Sequence, residues 1–138
     1  MFGISQEVYQ SFPLARIQLL RHVYNKFRLA HDNRTAYFWL RKRDYARTGA
    51  GRDDAEGLID HIRAIQGVVV ACVFEEIEPE LTRISLRSKS EDVDVNKIAG
   101  QFGGGGHSAA AGARIPGKPQ AAQRRVLHAV RKALNSTH

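Results

Sequence analysis

The sequence predicts an α/β (α+β) fold, a single domain built on a mixed β-sheet of about four to five strands flanked by helices, and three observations carry that prediction. Helical and strand-like hydrophobic periods alternate along the chain. Two strand-like runs meet at Glu78-Pro79-Glu80, which supplies an antiparallel pair. With 138 residues, 43% hydrophobic and 25% charged, the chain is large enough to bury one core. No internal repeat is visible.

The first element is a helix opened by Ser11 and Pro13. Its apolar residues Leu14, Ile17, Leu20, Tyr24 and Phe27 recur at three and four and form one stripe. His31-Asp32-Asn33-Arg34 reads as a turn, and TAYFWL, from Thr35 to Leu40, is rich in β-formers and bounded by charge, so it is the first strand. Residues 41–52 are basic, end in a glycine pair and read as an irregular connection. Asp53 and Glu56 have capping-box spacing ahead of Leu58, Ile59, Ile62 and Ile65, which predicts a second helix with Asp60 and His61 on its surface. Gln66 to Glu75 is a β-branched run, and LTRISLRS, from Leu81 to Ser88, alternates apolar with polar residues to complete the hairpin. Asp94 is placed as the N-cap of a short helix that runs through Phe102 with Val95, Ile98 and Phe102 buried. Ala109 to Ile115 is the next strand, and Pro119 starts a final helix carrying Val126, Val130 and Leu134.

Four consecutive glycines, Gly103, Gly104, Gly105 and Gly106, run into His107. Glycine loses more conformational entropy on folding than any other residue, so such a run inside a patterned domain needs a cause. Without Cβ atoms, successive N–H groups can converge on an anionic oxygen, and the His107 ring can add a donor at the same place. A phosphate-bearing ligand is the natural candidate. The competing reading is a flexible linker, but linkers usually carry Ser, Pro or charge and separate folded units, whereas this run lies between a helix and a strand. Known glycine motifs fit poorly. There is no Gly-x-x-x-x-Gly-Lys-Ser/Thr string, and Gly104, Gly106 and Ala109 match the dinucleotide fingerprint only loosely, after a helix and with no acid about 20 residues on.

A second group closes the hairpin: Arg87, Ser88 and Lys89. If its strand neighbours the one after the glycines, a guanidinium fork, a hydroxyl, an ammonium, an imidazole and free backbone N–H groups face one cavity. The glycine run also follows the C-terminal end of a helix, whose dipole repels anions, so cations and amides have to outweigh it. Taken alone, Arg87 fits a surface salt bridge as well as a ligand contact, and His107 fits a structural histidine.

Composition narrows the classes further. The longest apolar runs are far shorter than a membrane span and the N-terminus lacks a basic-then-apolar leader, so the expected location is cytoplasmic, with no membrane partner. The lone cysteine, Cys72, sits in an apolar run, which excludes a disulfide framework and fits a small buried side chain. The remaining histidines show no ligand spacing, so neither a metal site nor a catalytic group is assigned within the chain. Net charge is +7, from 21 Lys and Arg against 14 Asp and Glu, and suits a polyanionic partner. Much of the excess, Lys118, Arg124, Arg125, Arg131 and Lys132, belongs to the last helix, where a solvated face and a nucleic-acid patch explain it equally.

The string SLRSKSEDVDVNKIAGQFGGGGHSAAAGA resembles the C-terminal, DHH-associated substrate-binding domain of the DHH phosphoesterases, in the branch of bifunctional oligoribonuclease and pAp phosphatase proteins and cyclic-dinucleotide phosphodiesterases. The resemblance continues upstream through DDAEGLIDHIRAIQGVVVACVFEE and covers the chain from about Val8 to about Leu134. A more distant resemblance is to the C-terminal domain of alanyl-tRNA synthetases; the Arg87-Ser88 strand and the His107 context favour the phosphoesterase branch. The resemblance implies residues 1–30 as an N-terminal linker and helix and 31–138 as the substrate-binding domain. It also implies a DHH domain, in cis or in trans, that holds a manganese pair and hydrolyses a phosphoester. Arg87, Ser88 and the Gly103 to His107 loop would be the substrate contacts, with Lys89 adjacent. The chain departs from the family pattern by lacking Asp-His-His and the paired-aspartate motif, and two-metal hydrolysis needs several such ligands. The expectation is a hydrolase-related domain that binds a short oligonucleotide or nucleotide without cleaving it alone; the alternative is a free-standing, non-catalytic nucleic-acid or nucleotide module. A second copy of the chain is a further candidate partner.

Overall fold

A computed structural model describes residues 13–55 and 57–136. Among them are helices α1 (Leu14–Lys26), α2 (Lys42–Thr48), α3 (Arg52–Ala55), α4 (Leu58–Arg63), α5 (Val95–Gly100) and α6 (Pro119–Asn135). The strands are β1 (Arg28–Ala30), β2 (Thr35–Leu40), β3 (Val70–Glu78), β4 (Leu81–Ser88), β5 (Gly105–His107) and β6 (Ala110–Pro116). They form one six-stranded sheet in the order β1-β2-β3-β4-β6-β5. Only the β2–β3 pair is parallel. The mixed α/β architecture is the one expected, with more strands than four to five.

Strand alternation divides the sheet into two faces. On one, Val70, Cys72 and Phe74 of β3, Ile84 and Leu86 of β4, and Ala111, Ala113 and Ile115 of β6 pack against α5 and α6. Val126, Val130 and Leu134 of α6 are buried there, as their spacing predicts. Burial pushes the Cys72 thiol up to about 12, which makes it an inert core side chain. On the other face α1, α3 and α4 cover β2 and β3, with α4 reaching the near side of β4, through a second cluster that includes Leu19, Val23, Phe38, Leu40, Ile59, Ile62 and Val73. Among the described residues no helix packs on the same face of β6 and β5, and that asymmetry positions the candidate site.

Four local expectations are corrected. In α1 the predicted stripe points outward at Leu14 (69% exposed), Ile17 (42%) and Tyr24 (53%), while Leu19 and Val23 are buried. Both faces of this helix carry apolar residues, so spacing alone does not choose between them. Ser11 lies outside the described residues. The basic connection contains α2, whose start is held by Asp44: this buried carboxylate accepts from the Arg41 backbone N–H at 2.8 Å and from Arg47 at 3.0 Å. The second predicted helix is two short ones, broken at Gly57 with φ 85° and ending before Ile65. Glu56, the other half of its proposed capping box, lies outside the described residues. Finally, β1 and β5 were not anticipated. Asp94 does cap α5 as expected, accepting from the N–H groups of Asn96 at 2.8 Å and Lys97 at 3.3 Å.

The turn joining β1 to β2 carries three consecutive non-glycine residues in the left-handed region, His31 (φ 57°), Asp32 (58°) and Asn33 (64°), residue types that tolerate it best. His31 Nδ1 lies 2.8 Å from the hydroxyl of buried Thr35. Burial, and then the neighbouring Arg131 and Arg34, hold its pKa below the ordinary 6.5, opposed by Asp32. The unfolded chain therefore binds a proton that the native state refuses, so this histidine lowers stability as pH falls through 6.5. His31→Asn, which keeps a left-handed-tolerant residue, is expected to lessen the loss of urea stability between neutral pH and about one unit below that value; an unchanged pH dependence refutes the linkage.

Candidate functional site

On the open face, strand register sets the geometry. Arg87 of β4 is paired with Ala110 of β6, and Ala110 with His107 of β5. Directly paired antiparallel residues project to the same side, so Arg87 and His107 flank the small Ala110 methyl across roughly 10 Å, two strand spacings. In the next row Ser85, Gly112 and Gly105 are aligned, and beyond it Arg83 faces Arg114. The result is a floor of Ala, Gly and Ser walled by arginines and one histidine. Among the described residues the small side chains of this floor leave a ligand room to reach the sheet.

The electrostatics favour an anion. Arg83 is paired with Arg114 on β6 and with Glu75 on β3, so one acid stands among the arginines of this face. Among the described residues no carboxylate lies within ion-pair distance of Arg83, Arg87 or Arg114. Arg87 donates one guanidinium N–H to the Leu86 carbonyl at 3.1 Å, which steadies the side chain and leaves most of the fork unused. Beside it a cavity of about 410 Å³ opens between β4 and the α3–α4 segment, lined by Arg52, Arg83, Ser85 and Arg87 over Leu40, Ile59 and Val73. Glu75 and Asp53 also reach it. The Glu75 carboxylate accepts from the Tyr45 hydroxyl at 3.0 Å, and burial together with that carboxylate raises the pKa of Tyr45, so the phenol remains a donor. Arg87 stands between this cavity and the His107 row.

The glycine run works differently from the open anion nest that its composition suggests. Gly103 and Gly104 donate their N–H groups to Gly100 and Ala99 at the end of α5, at 3.2 and 2.9 Å, and Gly106 donates to the Asn96 side chain at 2.8 Å. Those amides are therefore occupied, and two of them quench the helix carbonyls that would repel an anion. What the missing Cβ atoms provide is close approach. A Cβ on Gly104 would collide with the Gly112 carbonyl and lie 2.6 Å from the Ala113 methyl, and one on Gly106 would lie 2.6 Å from the Ala110 carbonyl. The glycines let β5 lie against β6 and carry His107 into the Arg87 row.

Ser88 and Lys89 point elsewhere. Ser88 is buried on the opposite face, its hydroxyl donating to the Ser90 carbonyl at 2.8 Å and accepting from the Ser90 N–H. Lys89 sends its ammonium to the Ile65 carbonyl at 3.1 Å and its backbone N–H to Val69 at 2.8 Å. Both fix the end of β4, and with it Arg87. Sequence reasoning missed Arg83, Ser85, Arg114 and Arg52. The first two share the alternation of LTRISLRS with Arg87, a signal already in the sequence.

No helix among the described residues is long and apolar enough to cross a membrane. Comparison with known proteins gives the geometry its relatives. Over 83 residues, 59% of this chain and 25% of the relative, the sequence is 40% identical to the bifunctional oligoribonuclease and PAP phosphatase NrnA of Thermus thermophilus. The match thus spans a quarter of that protein's length. The fold superposes on an exopolyphosphatase-related protein from Bacteroides fragilis with TM-score 0.81 and 28% identity, over 94% of this chain and 38% of the other. It also superposes on the pGpG-specific phosphodiesterase PggH from Vibrio cholerae with TM-score 0.61 and 14% identity, over 100% of this chain and 44% of that one, a likeness of fold. The DHHA1 domain model matches residues 35–136, from the start of β2 to the end of α6. That span takes in β2 to β6, the arginine face and the glycine strand, and the chain belongs to the DHHA1 domain family.

Proposed function

We propose that this chain is the nucleotide-recognition domain of a DHH-type phosphoesterase, gripping a phosphate of a short oligonucleotide, a cyclic dinucleotide or a mononucleotide bisphosphate across the open face. The observation that carries the reading is the in-register row of Arg87, Ala110 and His107, with a guanidinium that has no carboxylate partner among the described residues at one end and an imidazole at the other. A guanidinium fork recognises phosphate by two parallel hydrogen bonds, and a small residue between the two groups leaves room for the anion. Arg83 and Ser85, beside the same cavity, meet the next phosphate or the sugar. Gly103 to Gly106 shape the strand that presents His107, while Ser88 and Lys89 anchor the Arg87 end.

Hydrolysis is assigned to a separate DHH domain, in cis or in trans. Among the described residues no group of three or more His, Cys, Asp or Glu side chains is arranged to hold a metal ion. The donor set of the described residues does not fit a manganese pair, and in this reading the domain's own part is to bind and orient.

Calorimetric titration with 3′-phosphoadenosine 5′-phosphate and with a short oligoadenylate, without metal, tests the reading. The wild type binds, and Arg87→Ala and His107→Ala each weaken binding about 10- to 100-fold, the range for losing a charge-assisted hydrogen bond. Equal affinity in wild type and both variants overturns the site.

A further inference from the structure

The opposite edge of the sheet carries a second, different surface. Strand β1 pairs with β2 only from Thr35 to Tyr37, so from Phe38 onward the β2 edge is not covered by β1. A cavity of about 480 Å³ lies there, and a second of about 280 Å³ shares Trp39, Arg41 and Gln123 with it. Together they make one groove from Arg28 past Trp39 toward Arg124 at the start of α6.

The groove is strongly basic. Lys26, Arg28, Arg41, Arg43 and Arg47 line it. Arg43 and Arg47 stand four residues apart on α2 and so share one side of that helix. Among the described residues the only carboxylate lining either cavity is Asp44, which is buried and already engaged by Arg47 and the Arg41 backbone, with His22 at 3.6 Å. Among the described residues Lys26, Arg28 and Arg43 have no carboxylate within ion-pair distance.

It is also layered. The Trp39 ring stacks on Phe74 with centroids 5.0 Å apart at 19°, and the Arg41 guanidinium lies over Trp39, 4.6 Å from its centroid. The indole N–H donates to Gln123 of α6, which locks the ring in place. Tyr37, two residues earlier on β2, presents a second half-buried aromatic ring on the same side. The cations suit phosphates, and with the Trp39 ring held between Phe74 and Arg41 the outer face of the Arg41 guanidinium is the flat surface offered to a base. A duplex hides its base faces, and an acidic peptide has no flat group for the stack.

We infer that this groove binds single-stranded nucleic acid several nucleotides long, at a site separate from the Arg87 row. Trp39 and Tyr37 lie on the opposite face of the sheet from Arg87, and β2 is two strands from β4 and four from β5. The groove would hold the body of a longer single strand, and the inference does not depend on the nucleotide reading of the open face.

Trp39 is the only tryptophan in the chain, so its emission reports directly on the groove. The full chain is titrated with oligouridylate of about twelve nucleotides, within the usual site size. Trp39 emission changes on binding, and log affinity falls with log salt at a slope of about −2 to −3, from three or four neutralised phosphates. The charge-reversed double variant Arg28→Glu/Arg43→Glu, at two exposed positions, loses at least tenfold in affinity, and the charge-removed pair Arg28→Gln/Arg43→Gln loses about three- to tenfold. Arg87→Ala binds the oligonucleotide as the wild type does. The inference is overturned if the oligonucleotide fails to bind, if Trp39 emission stays constant at saturation by anisotropy, if an equally long duplex binds as tightly, or if Arg87→Ala abolishes binding that the groove variants retain.

Discussion

Gly104→Val is expected to lower the thermal unfolding midpoint by about 10 °C, corresponding to a cost of about 3 kcal/mol from overpacking. The new Cβ is aimed at backbone: it meets the Gly112 carbonyl, the Ala113 Cα at 2.8 Å and the Ala113 methyl at 2.6 Å. Backbone in the middle of a ladder has no rotamer to change, so either β5 detaches from β6 or β6 shifts against β4. In both cases His107 leaves the Arg87 row, and affinity for 3′-phosphoadenosine 5′-phosphate falls together with stability. Gly103→Ala is the matched control. Among the described residues no atom beyond its chain neighbours lies within 4 Å of its added methyl, and the left-handed φ of 81° opposes it, at about 1–2 kcal/mol. Scanning calorimetry of the two variants separates close approach from backbone conformation. Equal midpoints would mean that the glycine run serves conformation alone.

The second large effect is expected at Phe74, which is fully buried at the centre of the sheet and joins the main core to the aromatic layer. It stacks on Trp39 and meets Tyr37 edge-on at 6.0 Å and 86°. Phe74→Ala removes a large core side chain and both ring contacts, for about 3–5 kcal/mol and a midpoint drop of about 10–20 °C. Phe74→Leu keeps most of the volume and is expected to cost under about 1.5 kcal/mol, while still changing Trp39 emission because the stacked ring is gone. Urea unfolding monitored by circular dichroism and by Trp39 emission checks both. A Phe74→Leu spectrum identical to wild type would show that the stack does not set the indole environment.

The elements legible in the sequence were those whose signals are local. TAYFWL, the hairpin around Pro79, the Asp94 cap and Pro119 at the first turn of α6 each carry their own period or punctuation, and each appears within a few residues of its expected place. The illegible elements depend on a partner. A three-residue strand such as β1 has no period to read and exists because β2 offers an edge. Helix α2 looks like a basic loop until Asp44 is seen turned inward, where one buried carboxylate organises Arg41, Arg47 and the first turn. In α1, Leu19 and Val23 compete with the more regular Leu14, Ile17 and Tyr24 series, and only the position of the sheet decides which face is inside. The site divides in the same way. Arg87 and His107 stood out by residue type, and the register that aligns them is a property of the assembled sheet. The roles of Ser88, Lys89 and the glycine amides turn on hydrogen bonds to Ser90, Ile65, Ala99, Gly100 and Asn96, partners that no spacing rule names.

The row from Arg87 to His107 starts on an interior strand and ends on a three-residue strand at the margin. Amides of interior strands exchange with solvent only when much of the molecule opens, whereas marginal strands fray by themselves. A ligand held at both ends therefore tethers the segment that exchanges soonest to one that exchanges late. Part of the binding free energy goes into suppressing that fraying, so occupancy of the open face and protection of the glycine amides rise and fall as one equilibrium.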